Sequence, residues 1–115
     1  MTSKLQLLPG TLEMLVLRSL IFGPRHGHGI ATSIQHTSDD LLLIDHGSLY
    51  PALQRLEEAK LISSAWGTSE HNRRARFYRL TRAGRRKLAA ETGKWEQVVR
   101  AVTGVLRAPE TGRKS

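Results

Sequence analysis

Between Gly10 and the Gly23, Pro24 pair, the chain places Leu12, Met14, Leu15, Val16, Leu17, Leu20 and Ile21. At helical spacing these residues cover more than one stripe of a cylinder, so a helix here carries apolar surface on two sides. One side can meet the core of its own domain. The other needs a second surface, and a chain of 115 residues has the size of one domain with one core. A partner subunit is the economical source of that surface. Residues 5 to 22 are read as this first helix, with Thr11 as its N-cap and Gly23 and Pro24 as its stop.

The rest of the chain alternates short periodic runs with polar turns. Residues 27 to 36 carry Ile30 and Ile34 four apart with Ala31 between, which predicts a short amphipathic helix. Leu41 to Ile44 are four apolar residues bounded by acids and read as a brief strand or an extended link. From Ser48, a candidate cap, Leu49, Leu53 and Leu56 predict a third helix that turns Tyr50, Pro51, Gln54, Arg55 and Glu58 outward. Pro51 is tolerable there because the first turn has amides without acceptors within the helix. Residues 61 to 66 and 75 to 80 read as strands, with Trp66 a strand core residue and Gly67 to Arg74 a projecting polar loop. After Thr81, Leu88, Trp95 and Val102 fall on one line of a helix and Val98 and Val105 on another, a near-heptad seam that also takes in Val99 and Leu106. A one-sided helix of this kind leaves its seam in water unless a second copy covers it, so the expected dimer contacts are Leu12, Leu15, Leu88, Trp95, Val98, Val99, Val102, Val105 and Leu106. The chain thus divides into residues 5–80, a domain of three helices and a β-hairpin, 81–107, a dimerisation helix, and 108–115, a flexible tail.

Charge narrows the partner. The formal net charge is +8, and from Arg73 to Lys87 come eight cations without an acid, whereas Asp39, Asp40, Asp45, Glu57 and Glu58 precede them. A concentrated basic stripe neutralises phosphates and releases counterions on a polyanion. Without cysteine the chain has no disulfide, thiol nucleophile or zinc-finger site. His26 and His28 cannot point the same way on a helix, and with His46 and His71 elsewhere a metal site is not expected. No catalytic carboxylate pair, nucleophile elbow or phosphate loop occurs, and the Gly27, His28, Gly29 step is too short to cradle a nucleotide. The expected protein is neither an enzyme nor a cofactor carrier. With no signal peptide and no membrane-length apolar run, the expected location is the cytoplasm.

Three helices, two strands with a basic projecting loop, and a last helix is the element order of a winged helix-turn-helix followed by a dimerisation helix. In that arrangement Ser48, Tyr50, Gln54 and Arg55 of the third helix face base edges or phosphates of a major groove. Asn72, Arg73, Arg74 and Arg76 of the wing lie against the flanking backbone or a narrow minor groove.

The runs GSLYPALQRLEEAKLI and LTRAG, together with the Pro9, Gly10 helix start, His26, Gly27, Ile30, the WGTSEHNRRARFYRLT wing and Trp95, resemble the PadR family of transcriptional regulators over nearly the whole chain. The resemblance implies a homodimer built by the first and last helices and binding to inverted repeats in duplex DNA. It further implies repression released by a ligand, with detoxification or efflux genes as common targets. The single last helix is similar to the short branch of the family, in which a tryptophan at the place of Trp95 borders planar aromatic ligands; Trp95 and Val99 are the corresponding effector residues here. Two departures stand out. His28 replaces the tyrosine many members carry after the glycine, and Asp45 and His46 put a carboxylate near the expected phosphates. The rival reading is a winged-helix module that binds another protein and uses its basic face only for solubility.

Overall fold

The computed structural model describes Leu7 and residues 10–110. Four helices, α1 (Thr11–Ser19), α2 (Gly27–Thr37), α3 (His46–Glu58) and α4 (Arg82–Leu106), and three strands, β1 (Arg25–His26), β2 (Ile62–Thr68) and β3 (Arg74–Leu80), make up the fold. The strands form one antiparallel sheet in the order β1-β3-β2. Where the sequence predicts a two-stranded hairpin, β1 adds a third strand through Arg25 opposite Tyr78 and His26 opposite Phe77. Two residues are too few to show an alternating pattern. Leu41 to Ile44 form no strand. Of the first helix expected over residues 5–22, residues 5, 6, 8 and 9 lie outside the described residues, and the helix found runs from Thr11 to Ser19; of the expected tail only Ala108 to Glu110 lie within the described residues.

Helix ends differ from expectation in ways that locate the functional face. Gly10, at φ 86, is the N-cap of α1 and makes no side-chain cap, so Thr11 is the first helical residue and not the cap. The helix ends at Ser19, whose carbonyl accepts from Arg25 Nε at 2.8 Å. Asp45, not Ser48, caps α3: its carboxylate accepts from the Ser48 amide at 2.8 Å. A carboxylate there also complements the positive end of the helix dipole. Because α3 already begins at His46, ahead of the expected Ser48, Pro51 stands inside it and leaves the Gly47 carbonyl without its partner four residues on. At the far end, Leu61 donates to Leu56 O and Lys60 to Glu57 O, a Schellman closure with Lys60 at φ 63 in the position glycine usually holds. Lys60→Gly is accordingly expected to raise stability by about 0.5–1 kcal/mol in denaturant titration, since a Cβ is disfavoured at this φ.

The core gathers Val16 and Leu17 of α1, Ile30 of α2, Leu49 and Leu53 of α3 and Ile62 of β2, all at or below 1% exposed. Leu88 of α4 belongs to it as well, at 6%. Thr81 joins α4 to this body. Its hydroxyl accepts from the Gly84 amide, capping the helix, and donates toward the carbonyls of Lys60 and Leu61. Gly84 sits where α4 crosses the entry to β2, so close that a Cβ would run into the Leu61 carbonyl. The Leu-Thr-Arg-Ala-Gly run is thus a helix cap fused to a close crossing.

Candidate nucleic-acid interface

The exposed arc of α3 follows from its buried leucines. With Leu49, Ala52, Leu53 and Leu56 inward, His46 and Tyr50 stand at one edge, Ser48 and Arg55 at the other, and Pro51 and Gln54 between them. Tyr50 leans over the start of α2, its hydroxyl against Gly27, where a Cβ would have no room. Tyr50 is 44% exposed and its ring meets His46 edge-on at 5.6 Å. Tyr50 therefore orients α3 against α2 and still presents a face to solvent. Ser48 is exposed, with its hydroxyl 3.3 Å from Asp45. Arg55 turns the other way: its Nε donates to Glu13 of α1 at 2.7 Å.

Across from Tyr50 stands the wing. β2 and β3 stay paired out to Thr68 opposite Arg74, so the connecting turn is Ser69 to Arg73 and not the longer loop expected. Asn72, at φ 58, supplies its left-handed residue and donates its amide to Ser69 O at 2.9 Å. Arg73 and Arg74 are exposed, and among the described residues neither enters an ion pair. Arg76 does: it reaches Glu57 of α3 at 3.3 Å and Ser64 at 2.8 Å, tying the wing to α3. Between Tyr50 and these arginines opens a groove of about 630 Å³, floored by Gly27 and His28 at the start of α2 and bordered by His71 and Tyr78. Burial pushes the Tyr78 phenol above its ordinary pKa, with the Arg76 charge acting in the opposite sense.

On α4 a second surface opens. Trp95, Val98, Val99 and Val102 are between 41% and 51% exposed, and Val105 and Leu106 are near 78%. Leu88, expected in this seam, faces the chain's own core instead, and Leu12 and Leu15 are half-buried against that core. Trp95 and Val98 border a shallow recess of about 230 Å³ with Thr11 and Met14 of α1.

The Transcriptional regulator PadR-like family matches residues 16–90, a span that runs from the middle of α1 through the wing into α4. The chain belongs to the PadR family. A PadR-family transcriptional regulator from Eggerthella lenta is 31% identical, with a TM-score of 0.72 over 87% of this chain and 85% of that one. A transcriptional regulator from Clostridium thermocellum is 30% identical, with a TM-score of 0.74 over 82% and 88%. A PadR-family regulator from Clostridium difficile is 25% identical, with a TM-score of 0.73 over 84% and 99%.

This PadR chain is a winged-helix transcriptional regulator, and among its described residues no helix is long and apolar enough to cross a membrane. One residue of its groove departs from the sequence expectation. Trp66, expected in the strand core, is 59% exposed on the groove side of the wing. Register carries the missing signal: Trp66 pairs directly with Arg76, so the two share a sheet face, and Arg74 two residues earlier in β3 shares it too. His71, which the sequence marks only as a poor metal ligand, and His28, which stands where many members carry a tyrosine, both line the same groove.

Proposed function

We propose that the chain is a homodimeric repressor of an inverted-repeat operator, acting in the cytoplasm. Ser48 to Arg55 of α3, with Tyr50 and Gln54 on the exposed face, enter the major groove, and Arg73 and Arg74 hold the flanking backbone. The observation that carries this reading is the groove itself: an exposed helix face stands on one side of the cleft, and on the other stand two guanidinium groups without acidic partners among the described residues. Phosphates are the ligand such a cleft suits, because the wing brings guanidinium charge and in-plane donors to it and the α3 side adds Tyr50. Gln54 carries the bidentate amide that reads adenine, while Arg73 and Arg74 position without reading. Arg55 and Arg76, each held by a carboxylate, contribute less positive field than their numbers imply. A second copy covers the α4 seam and doubles the reading helix. A planar aromatic ligand beside Trp95 and Val99 shifts the spacing of the two reading helices and releases the operator, as suits control of detoxification or efflux genes.

Salt separates this reading from a protein-binding module. Affinity for duplex DNA, followed by fluorescence anisotropy, is expected to fall by orders of magnitude between low and moderate salt. Arg73→Ala with Arg74→Ala is expected to weaken binding to every duplex and to flatten the salt slope by about one unit for each phosphate no longer neutralised. Unchanged affinity and slope in the double variant would contradict the proposed role of the wing.

A further inference from the structure

The groove contains an arrangement that phosphate binding alone does not explain. Arg74 places its guanidinium carbon 4.6 Å from the centre of the Trp66 ring, and Arg76 places its own at 6.0 Å. The two arginines are held differently. Arg76 is matched by Glu57, so its charge is largely spent within the fold. Arg74 has no ion-pair partner among the described residues, and the ring is what holds it. A carboxylate would have fixed Arg74 by occupying its N–H groups and cancelling its charge. A ring face does neither, because cation–π stacking uses the flat of the guanidinium and leaves the in-plane donors pointing outward. The tryptophan is meanwhile more exposed than Tyr50 across the groove, 59% against 44%, an arrangement that packing of the wing does not require.

We infer that Trp66 is a positioning residue for DNA binding: it is a shelf that holds Arg74 extended and still fully charged, ready for a backbone phosphate. The inference rests on the DNA-binding reading and adds to it the source of the wing's order. An arginine fixed before binding loses less rotamer freedom on contact, so affinity gains from the ring without any contact between ring and nucleic acid. The ring adds no charge. Its removal therefore lowers affinity while Arg74 remains able to reach a phosphate, and the salt slope stays near that of the wild type.

A double-mutant cycle on a mixed-sequence duplex a few helical turns long, at low ionic strength, tests this. Trp66→Ala is expected to weaken binding about three- to fivefold in the wild-type background and less than about twofold in the Arg74→Ala background. Trp66→Phe, which keeps an aromatic face, is expected to stay within about twofold of wild type. Equal losses from Trp66→Ala in both backgrounds would overturn the inference in favour of direct contact by the ring. A loss in Trp66→Phe as large as in Trp66→Ala would overturn it equally. A wild-type chain that binds no duplex would overturn the DNA-binding reading and this inference with it, whereas wild-type binding with uncoupled losses removes the shelf alone.

Discussion

Gly84→Ala is expected to be the most damaging small substitution in the chain, lowering stability by about 3 kcal/mol or more and leaving a large unfolded fraction. The added methyl would meet the Leu61 carbonyl and crowd a Leu80 methyl group, and a backbone oxygen cannot rotate away as a side chain could. The same carbonyl accepts from the Thr81 amide and the Thr81 hydroxyl, so any shift that makes room also breaks the joint between α4 and the sheet. Gly93 and Gly104 of the same helix supply the control, since a Cβ at either meets nothing within 4 Å. Both lie on the side of α4 away from the valines, so Gly→Ala at these sites is expected to stabilise by about 0.5–1 kcal/mol through helix propensity. Urea midpoints read both signs in one experiment. A Gly84→Ala chain as stable as wild type would show that α4 and β2 cross with more room than their backbones imply.

The second large effect concerns the exposed valines of α4. Val98→Glu with Val102→Glu places two carboxylates in the middle of the apolar seam, at positions 51% and 49% exposed in the single chain. The monomer fold has little to lose, so helical circular dichroism and the core are expected to persist. The proposed dimer has much to lose. Removing two buried valines per protomer at about 1.5 kcal/mol each, and burying charge in their place, weakens association on the order of a thousandfold or more. The half of α4 beyond Glu91 has nothing packed on most of its residues within one chain, and a lone helix of that length is marginal in water, which is a further reason to expect a partner there. Operator affinity is expected to fall with the dimer by about 10²- to 10⁴-fold, because the second half-site no longer benefits from the first. Sedimentation at micromolar concentration checks the first expectation and duplex titration the second. A double variant that remains dimeric would place the contact elsewhere.

What the sequence discloses and what it hides divide along the range of the interactions. The leucines of α3 and the heptad-like valines of α4 announce helices through contacts repeated every turn, and the cations from Arg73 to Lys87 mark the wing by composition alone. Caps are harder. Ser48 and Asp45 are both good capping residues three apart, and only geometry shows that Asp45 accepts the amide. Long-range pairings are illegible. Glu13 and Arg55 are 42 residues apart, and nothing local shows that this ion pair turns Arg55 toward α1. Leu88 repeats with Trp95 and Val102 at seam spacing, yet α4 is still on the body of the fold at that turn, so the core claims it. Trp66 misleads because a tryptophan in a strand is usually covered, and its exposure becomes explicable only with the register that sets Arg76 and Arg74 beside it.

Whether two copies set paired helices and wings along one face of a duplex is read by footprinting the purified protein on DNA fragments it has itself selected. Two equivalent protected patches are expected, related by a twofold axis, with centres about 10–10.5 base pairs or a multiple of that apart and cleavage between them altered where the wings lie. A single unpaired patch, or no fragment retained even at low ionic strength, would contradict that arrangement.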